Sequence, residues 1–157
     1  MNGVRIVSPQ CIRNEIQGIL DISGDIPFHI EESFHNNYIM WCDYYPDTKQ
    51  RILRYNPKHD ITLGSIYHEL GHIFNSNSLY SNIWENYPES MNTLRINSEY
   101  NAQTWALGKA LANKDWNTFD ELYSWVDNYQ YYNKNCPIEG HYYWAFRRIK
   151  KKLYKIF

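Results

Sequence analysis

Apolar residues recur along this chain with two different periods. Ile12, Ile16 and Ile19 fall at helical spacing, and Ser8-Pro9 ahead of them has the form of an N-cap followed by proline at the first helical position. A short amphipathic helix is predicted there, broken at residues 24–27 by Gly24 and Pro27. The period then shortens. The runs FHI, NYIMWCDY and RILRY are β-prone and are separated by polar or turn-forming residues such as Pro46-Asp47, which predicts three strands in a meander.

Helical spacing returns after Pro57. Asp60 or Thr62 can cap a helix on which Leu63, Ile66, Leu70 and Ile73 form one apolar stripe. Residues 75–88 are rich in Asn and Ser and read as a loop, and residues 94–111 are helical again. Thr118 and Glu121 have capping-box spacing ahead of Leu122, Trp125 or Val126, and Tyr129, so a further helix is predicted over residues 117–132, interrupted at Cys136-Pro137. From about Gly140, Tyr142, Phe146, Ile149, Leu153 and Ile156 share one side of a terminal helix. The fold class is therefore α+β, with a small antiparallel or mixed sheet of about three strands packed on one helix and further helices around it.

Composition narrows the class. At 157 residues the chain fits a single domain spanning 1–157. A hydrophobic content of 43%, with fifteen Tyr, six Trp and six Phe, is ample for a packed core. Cys11, Cys42 and Cys136 are odd in number and include no CxxC pair, so they read as reduced thiols rather than a disulfide framework or a zinc knuckle. The beginning, MNGVRIVSPQ, lacks the blocks of a secretory signal, and no apolar run approaches the length of a membrane span, so a cytoplasmic protein without a membrane partner is expected. Arg147, Arg148, Lys150, Lys151, Lys152 and Lys155 make the last eleven residues a basic pole, while the first 146 residues hold ten bases against seventeen acids. Such a cluster can touch nucleic acid phosphates, but it reads first as the solvated face of a packed helix.

The candidate chemistry lies in His68-Glu69-Leu70-Gly71-His72, an HExxH motif. Residues i and i+4 of a helix lie one above the other, so both imidazoles can converge on one ion. Glu69 is turned about 100° away and lies beside the metal, where a carboxylate can take a proton from the water that attacks a carbonyl. With six His and nine Glu in the chain, random order produces the motif about once in a hundred such chains. Catalytic zinc takes three protein ligands, so a third is needed. The six residues after His72 contain no histidine, which turns attention to a downstream carboxylate. Glu99 is the best candidate, because Ala102, Ala106 and Ala110 continue its side of the next helix as a row of small residues suited to close packing. A carboxylate on such a face needs a compensating partner, and a metal would be one. Glu85 and Glu89 lie in the polar loop without that context.

HELGH followed some 25 residues later by Glu99-Tyr100-Asn101-Ala102-Gln103-Thr104-Trp105-Ala106 resembles the ImmA/IrrE-type metallopeptidases, particularly their short phage-borne members. The likeness runs over residues 52–111. It implies a zincin-like domain with His68, His72 and Glu99 as Zn2+ ligands and Glu69 as catalytic base. It also implies a protein or peptide substrate, a transcriptional repressor being one kind.

Other assignments are weaker. Tyr100 and His141 are chemically suited to stabilise an oxyanion, although both read first as structural. Gln103 or Asn101 could fix a ligand histidine from behind. Residues 51–55 directly precede the metal helix and could form an edge to which an extended peptide adds as a further strand. His29, His35 and His59 show no ligand spacing and read as surface or strand residues. The alternative to a zinc peptidase is a non-catalytic zinc-binding or interaction module that uses the same scaffold and acts through its basic terminal helix. Oligomeric state and cleavage site are not encoded in any motif.

Overall fold

The computed structural model describes residues 4–34, 38–45, 47–75, 90–136 and 139–156, without the side chains of residues 90–92 and 156. From residue 76 onward the predicted Asn/Ser-rich loop lies outside the described residues, as do His35, Glu85 and Glu89. In chain order the elements are β1 (Ile6–Val7), α1 (Ile12–Leu20), β2 (His29–Glu32), β3 (Met40–Tyr45), β4 (Gln50–Tyr55), β5 (Ile61–Thr62), α2 (Leu63–Asn75), α3 (Ser90–Ala112), α4 (Trp116–Asp127) and α5 (Glu139–Ile156). The fold is α+β, with five helices and two small sheets among the described residues.

Proline opens the first helical segment as expected, but as a 3-10 turn over Pro9–Cys11 that leads into α1. The Ser8 side chain makes no capping bond; its main-chain carbonyl accepts from Cys11 N instead, at 2.9 Å. Ile12, Ile16 and Ile19 are buried, and Asp21 ends the helix with a left-handed backbone, φ 55°.

The three predicted strands form, but not as a meander. The sheet order is β2-β4-β3, with β3 antiparallel and β2 parallel to β4. Strands β3 and β4 close as a hairpin, Tyr45 pairing with Gln50 and Lys49 at φ 56°, and β2 joins the outer edge of β4 rather than that of β3. Neighbouring strands lie about 4.8 Å apart, so β2 and β3 stand about two such spacings apart on either side of β4. Consequently residues 51–55 form the central strand, not the edge proposed for them. The edge that packs against α2 is β3. A second, two-stranded sheet was not anticipated: β1 pairs antiparallel with β5 in the register Ile6↔Thr62 and Val7↔Ile61, tying the start of the chain to the start of α2.

Helix α2 runs through the middle of the molecule. Leu63, Ile66, Leu70 and Ile73 are buried as the stripe predicts, but so are Gly64, Tyr67, His68 and Gly71. A helix covered on nearly all sides is a core element rather than an amphipathic surface one. Its partners are β3, β4 and β5, together with α3 and α4. Thr62 is its cap, with Oγ1 accepting from Ser65 N at 3.1 Å. The row Ala102, Ala106 and Ala110 on α3 has no exposure at all. Gly71 makes the approach of α3 possible, because a Cβ at that position would overlap the Ala102 carbonyl.

The expected capping box at Thr118 and Glu121 does not form. Asp115 caps α4 by accepting from Thr118 N at 3.2 Å, while Glu121 reaches across to the first turn of α2. Its Oε1 accepts from Gly64 N at 2.9 Å and its Oε2 from Thr62 Oγ1 at 2.5 Å. The free N–H groups of a helix start attract an anion more strongly than a local cap can use it. The terminal helix α5 packs on α3 and α4 with Phe146 and Ile149 buried. No helix among the described residues is long and apolar enough to cross a membrane.

Candidate metal centre

The geometry of α2 fixes where His68 and His72 point. They are one turn apart, and their ring centroids lie 4.9 Å from each other. The close passage of α3 at Gly71 brings Glu99 opposite them. Glu99 Oε2 lies 2.9 Å from His68 Nε2, and Glu99 Oε1 lies 2.9 Å from His72 Nε2. One ligand atom from each of the three residues falls within 4.8 Å of the others, a grouping that could hold a metal ion.

Behind His68 the hydrogen-bond pattern is unambiguous. Gln103 is fully buried, and its Nε2 donates to the Leu122 carbonyl at 2.8 Å. A carbonyl only accepts, so the amide nitrogen of Gln103 faces Leu122 and its oxygen faces His68 Nδ1, 2.6 Å away. Nδ1 must therefore carry the hydrogen. In neutral His68 the Nε2 lone pair then points at a carboxylate oxygen 2.9 Å away, acceptor against acceptor. A cation between them, either a proton or a metal ion, removes the conflict. His72 is similarly backed by Ser98 Oγ, 3.2 Å from its Nδ1. The sequence reading named Gln103 for this role; it did not find Ser98, and Asn101, its alternative, is exposed.

The protonation balance of the ion-free cluster follows from the same geometry. Burial disfavours a charged His72, but the Glu99 carboxylate outweighs it and pushes the imidazole up to about 9. Burial likewise raises the Glu99 carboxyl, yet the His72 charge and the bonds from both imidazoles hold it well below the usual carboxylate range. Glu69 is half-buried on the next residue of α2, and its carboxyl is raised, chiefly by burial, with the His72 and His68 charges opposing and Glu99 adding to the shift. Cys42, on the face of β3 toward α2, donates from Sγ to the Glu69 carbonyl at 3.1 Å. Burial and the neighbouring carboxylates keep this thiol well above its ordinary value, so it stays protonated.

Of the two oxyanion candidates, Tyr100 belongs to the α3–α5 contact. Arg148 lies over its ring at 4.2 Å and Lys152 at 4.9 Å. His141 is buried, and burial, with the Arg95 charge, depresses its basicity. The residue beside it, Tyr142, is the one that meets the centre: its ring is 6.4 Å from that of His68, and Trp125 of α4 lies 6.0 Å from His68 on another side. The Glu99 charge, then burial, then the Glu69 charge hold the Tyr142 phenol well above its ordinary value. Sequence patterning put Tyr142 on the inward stripe of α5; the residue it would meet there depended on how α5 crosses α3.

The remaining histidines stand apart from the cluster. His29 lies exposed on β2, and His59 is exposed between β4 and β5. The basic tail is partly engaged within the chain, through Lys150 Nζ to Asp127 Oδ1 at 3.0 Å and Arg148 Nη1 to Asn97 Oδ1 at 2.9 Å. Cys11, Cys42 and Cys136 are all free. Comparison with protein-family models, with curated proteins and with solved structures finds no match to this chain.

Proposed function

We propose that this chain is a zinc-dependent metallopeptidase of zincin-like fold, with His68, His72 and Glu99 holding the metal and Glu69 acting as base. The observation that carries the reading is the facing of two acceptors, His68 Nε2 and Glu99 Oε2, at 2.9 Å with Gln103 preventing the imidazole from reversing its tautomer. Two imidazole nitrogens and a carboxylate oxygen are the donor set expected of catalytic zinc, with a position left for substrate. Zinc held by these residues supplies Lewis acidity that polarises a carbonyl and makes water a nucleophile at neutral pH.

The chain's own residues account for the rest of the reaction. Glu69 takes a proton as water oxygen bonds to the carbonyl carbon and the C=O π pair moves to oxygen; the C–N bond then breaks and the proton passes to the departing amine. Burial raises the Glu69 carboxyl, which brings it nearer to the range in which a base works at neutral pH. Edge strand β3 packs beside α2 and offers the backbone on which an extended peptide could lie. A regulatory protein such as a repressor, met in the cytoplasm, is the substrate class suggested by the resemblance to ImmA/IrrE-type enzymes.

Metal analysis of the purified protein and of Glu69→Gln tests this. About one zinc per chain is expected in both, with hydrolysis of an unfolded protein substrate such as casein lost only in the variant. Protein that neither retains nor takes up zinc would defeat the ligand assignment. Zinc binding with equal hydrolysis in the two proteins would remove Glu69 from the mechanism. Zinc binding with no hydrolysis by the parent protein favours a non-catalytic module.

A further inference from the structure

The donor set at the candidate centre lacks a group for the charge that develops on the carbonyl oxygen, and α5 carries one. Tyr142 stands three residues into that helix. Its ring is held between the His68 ring at 6.4 Å, Tyr132 at 5.4 Å and Phe146 at 5.8 Å. Phe146 is buried and fixed in the core, so the phenol is pinned along its length by rigid neighbours. Its hydroxyl makes no hydrogen bond to the described residues, and it is not among the sealed polar atoms of the structure. A tyrosine held this firmly by its ring, while its hydroxyl has no acceptor among the described residues, has a donor to offer to a ligand.

The alternatives are less well placed. Tyr100 is covered by two cations of α5, and Tyr132 sits behind Tyr142, against Tyr142 and Phe146 rather than a ligand imidazole. Among the charges acting on Tyr142, Glu99 is the strongest and Glu69 also contributes, so the phenol oxygen is in electrostatic reach of both a candidate ligand and the candidate base. An ordinary phenol remains protonated at neutral pH and can donate throughout the reaction.

We propose that Tyr142 is a catalytic residue whose hydroxyl donates to the oxygen of the scissile carbonyl as that oxygen becomes anionic. This rests on the zinc peptidase reading and adds the group which that reading lacked. Preorganised donors of this kind act where charge appears, so the hydroxyl should bind a tetrahedral anion and be indifferent to a neutral ligand.

The test compares the wild type with Tyr142→Phe and Tyr132→Phe, each loaded with zinc and titrated calorimetrically with a phosphonamidate dipeptide and, separately, with imidazole. Tyr142→Phe keeps the ring and its packing, so zinc content and melting temperature should match the wild type. Its affinity for the phosphonamidate should fall by about 10- to 100-fold, the effect of one hydrogen bond to a charged group, while imidazole binding stays within about twofold. Tyr132→Phe should leave both ligands unchanged. Equal phosphonamidate binding by wild type and Tyr142→Phe, or a loss confined to Tyr132→Phe, overturns the assignment and leaves the metal centre standing. So does zinc-loaded wild type that does not bind the phosphonamidate. Wild type that takes up no zinc removes the metal centre and this role together, an outcome recognised from metal content before any ligand is added.

Discussion

Two carboxylates from neighbouring helices are buried against α2, and they are held in opposite ways. Glu121 of α4 meets true donors at the helix start, Gly64 N and Thr62 Oγ1. Glu99 of α3 meets the Nε2 atoms of His68 and His72 further along. The first carboxylate is satisfied by the protein alone. The second faces at least one nitrogen whose hydrogen is committed elsewhere, on the side of Gln103. A buried carboxylate with a true donor on each oxygen is a structural cap, whereas one that faces lone pairs needs a cation. Burial by itself does not separate the two cases; what does is the hydrogen inventory of the partner.

The sharpest way to break this contrast is to remove each carboxylate. Glu99→Ala should weaken zinc binding by more than about 100-fold, beyond the 10- to 100-fold typical of losing a group that only supports a ligand. Glu121→Ala should leave zinc affinity within about twofold and instead lower stability by about 1–3 kcal/mol, because Gly64 N is left buried without an acceptor. Competition with a chromogenic chelator and urea unfolding of the metal-free proteins read the two effects. Matching losses of zinc affinity in both variants would dissolve the distinction.

An intermediate effect is expected at the glycine that lets α3 approach. Gly71→Ala places a methyl group against the Ala102 carbonyl, so the helices must part. Overpacking of this kind costs about 1–3 kcal/mol, and displacement of Glu99 should carry zinc affinity down with stability. A variant with wild-type stability and zinc affinity would show that the seam is not tight. Gly64→Ala meets the Glu121 carboxylate instead and should spare zinc affinity.

The smallest effect concerns pH. Burial raises the Glu121 carboxyl despite the opposing bonds from Thr62 and Gly64. A carboxyl whose folded value lies above its unfolded one, about 4.3, contributes stability that is complete below the unfolded value and is lost as pH rises through the folded value. Glu121→Gln cannot titrate. The stability of the wild type relative to this variant should therefore decline as pH is raised from 4 toward 7. A difference in urea midpoint that stays constant or grows over that range contradicts the shift.

Local patterning was legible wherever one element decided the outcome. The stripe Leu63, Ile66, Leu70 and Ile73, the alanine row after Glu99 and the inward side of α5 all followed from the 3.6-residue repeat. Errors arose where two segments competed for one group. Glu121 had the spacing of a local cap, but the start of α2 took it, and Asp115 served α4 instead. Strand order was misjudged for a related reason: sequence shows which runs are extended, while the choice between the two outer edges of the β3–β4 hairpin is made only when the whole sheet assembles.

By itself the sequence determined the identity of the candidate ligands and base, because i, i+4 spacing on a helix places His68 and His72 together whatever surrounds them. It also determined that α3 could come close, through the small residues after Glu99, whereas the part played by Gly71 emerged only from the packing. Only the tertiary structure decided what that closeness means. Whether His68 presents a lone pair or a hydrogen to Glu99 depends on a buried amide from α3 and a carbonyl from α4. Whether Tyr100, Tyr132, His141 or Tyr142 meets the centre depends on how α5 crosses α3. Side-chain periodicity is a property of one element, but the direction of a hydrogen bond and the neighbour of a ring are properties of several elements at once.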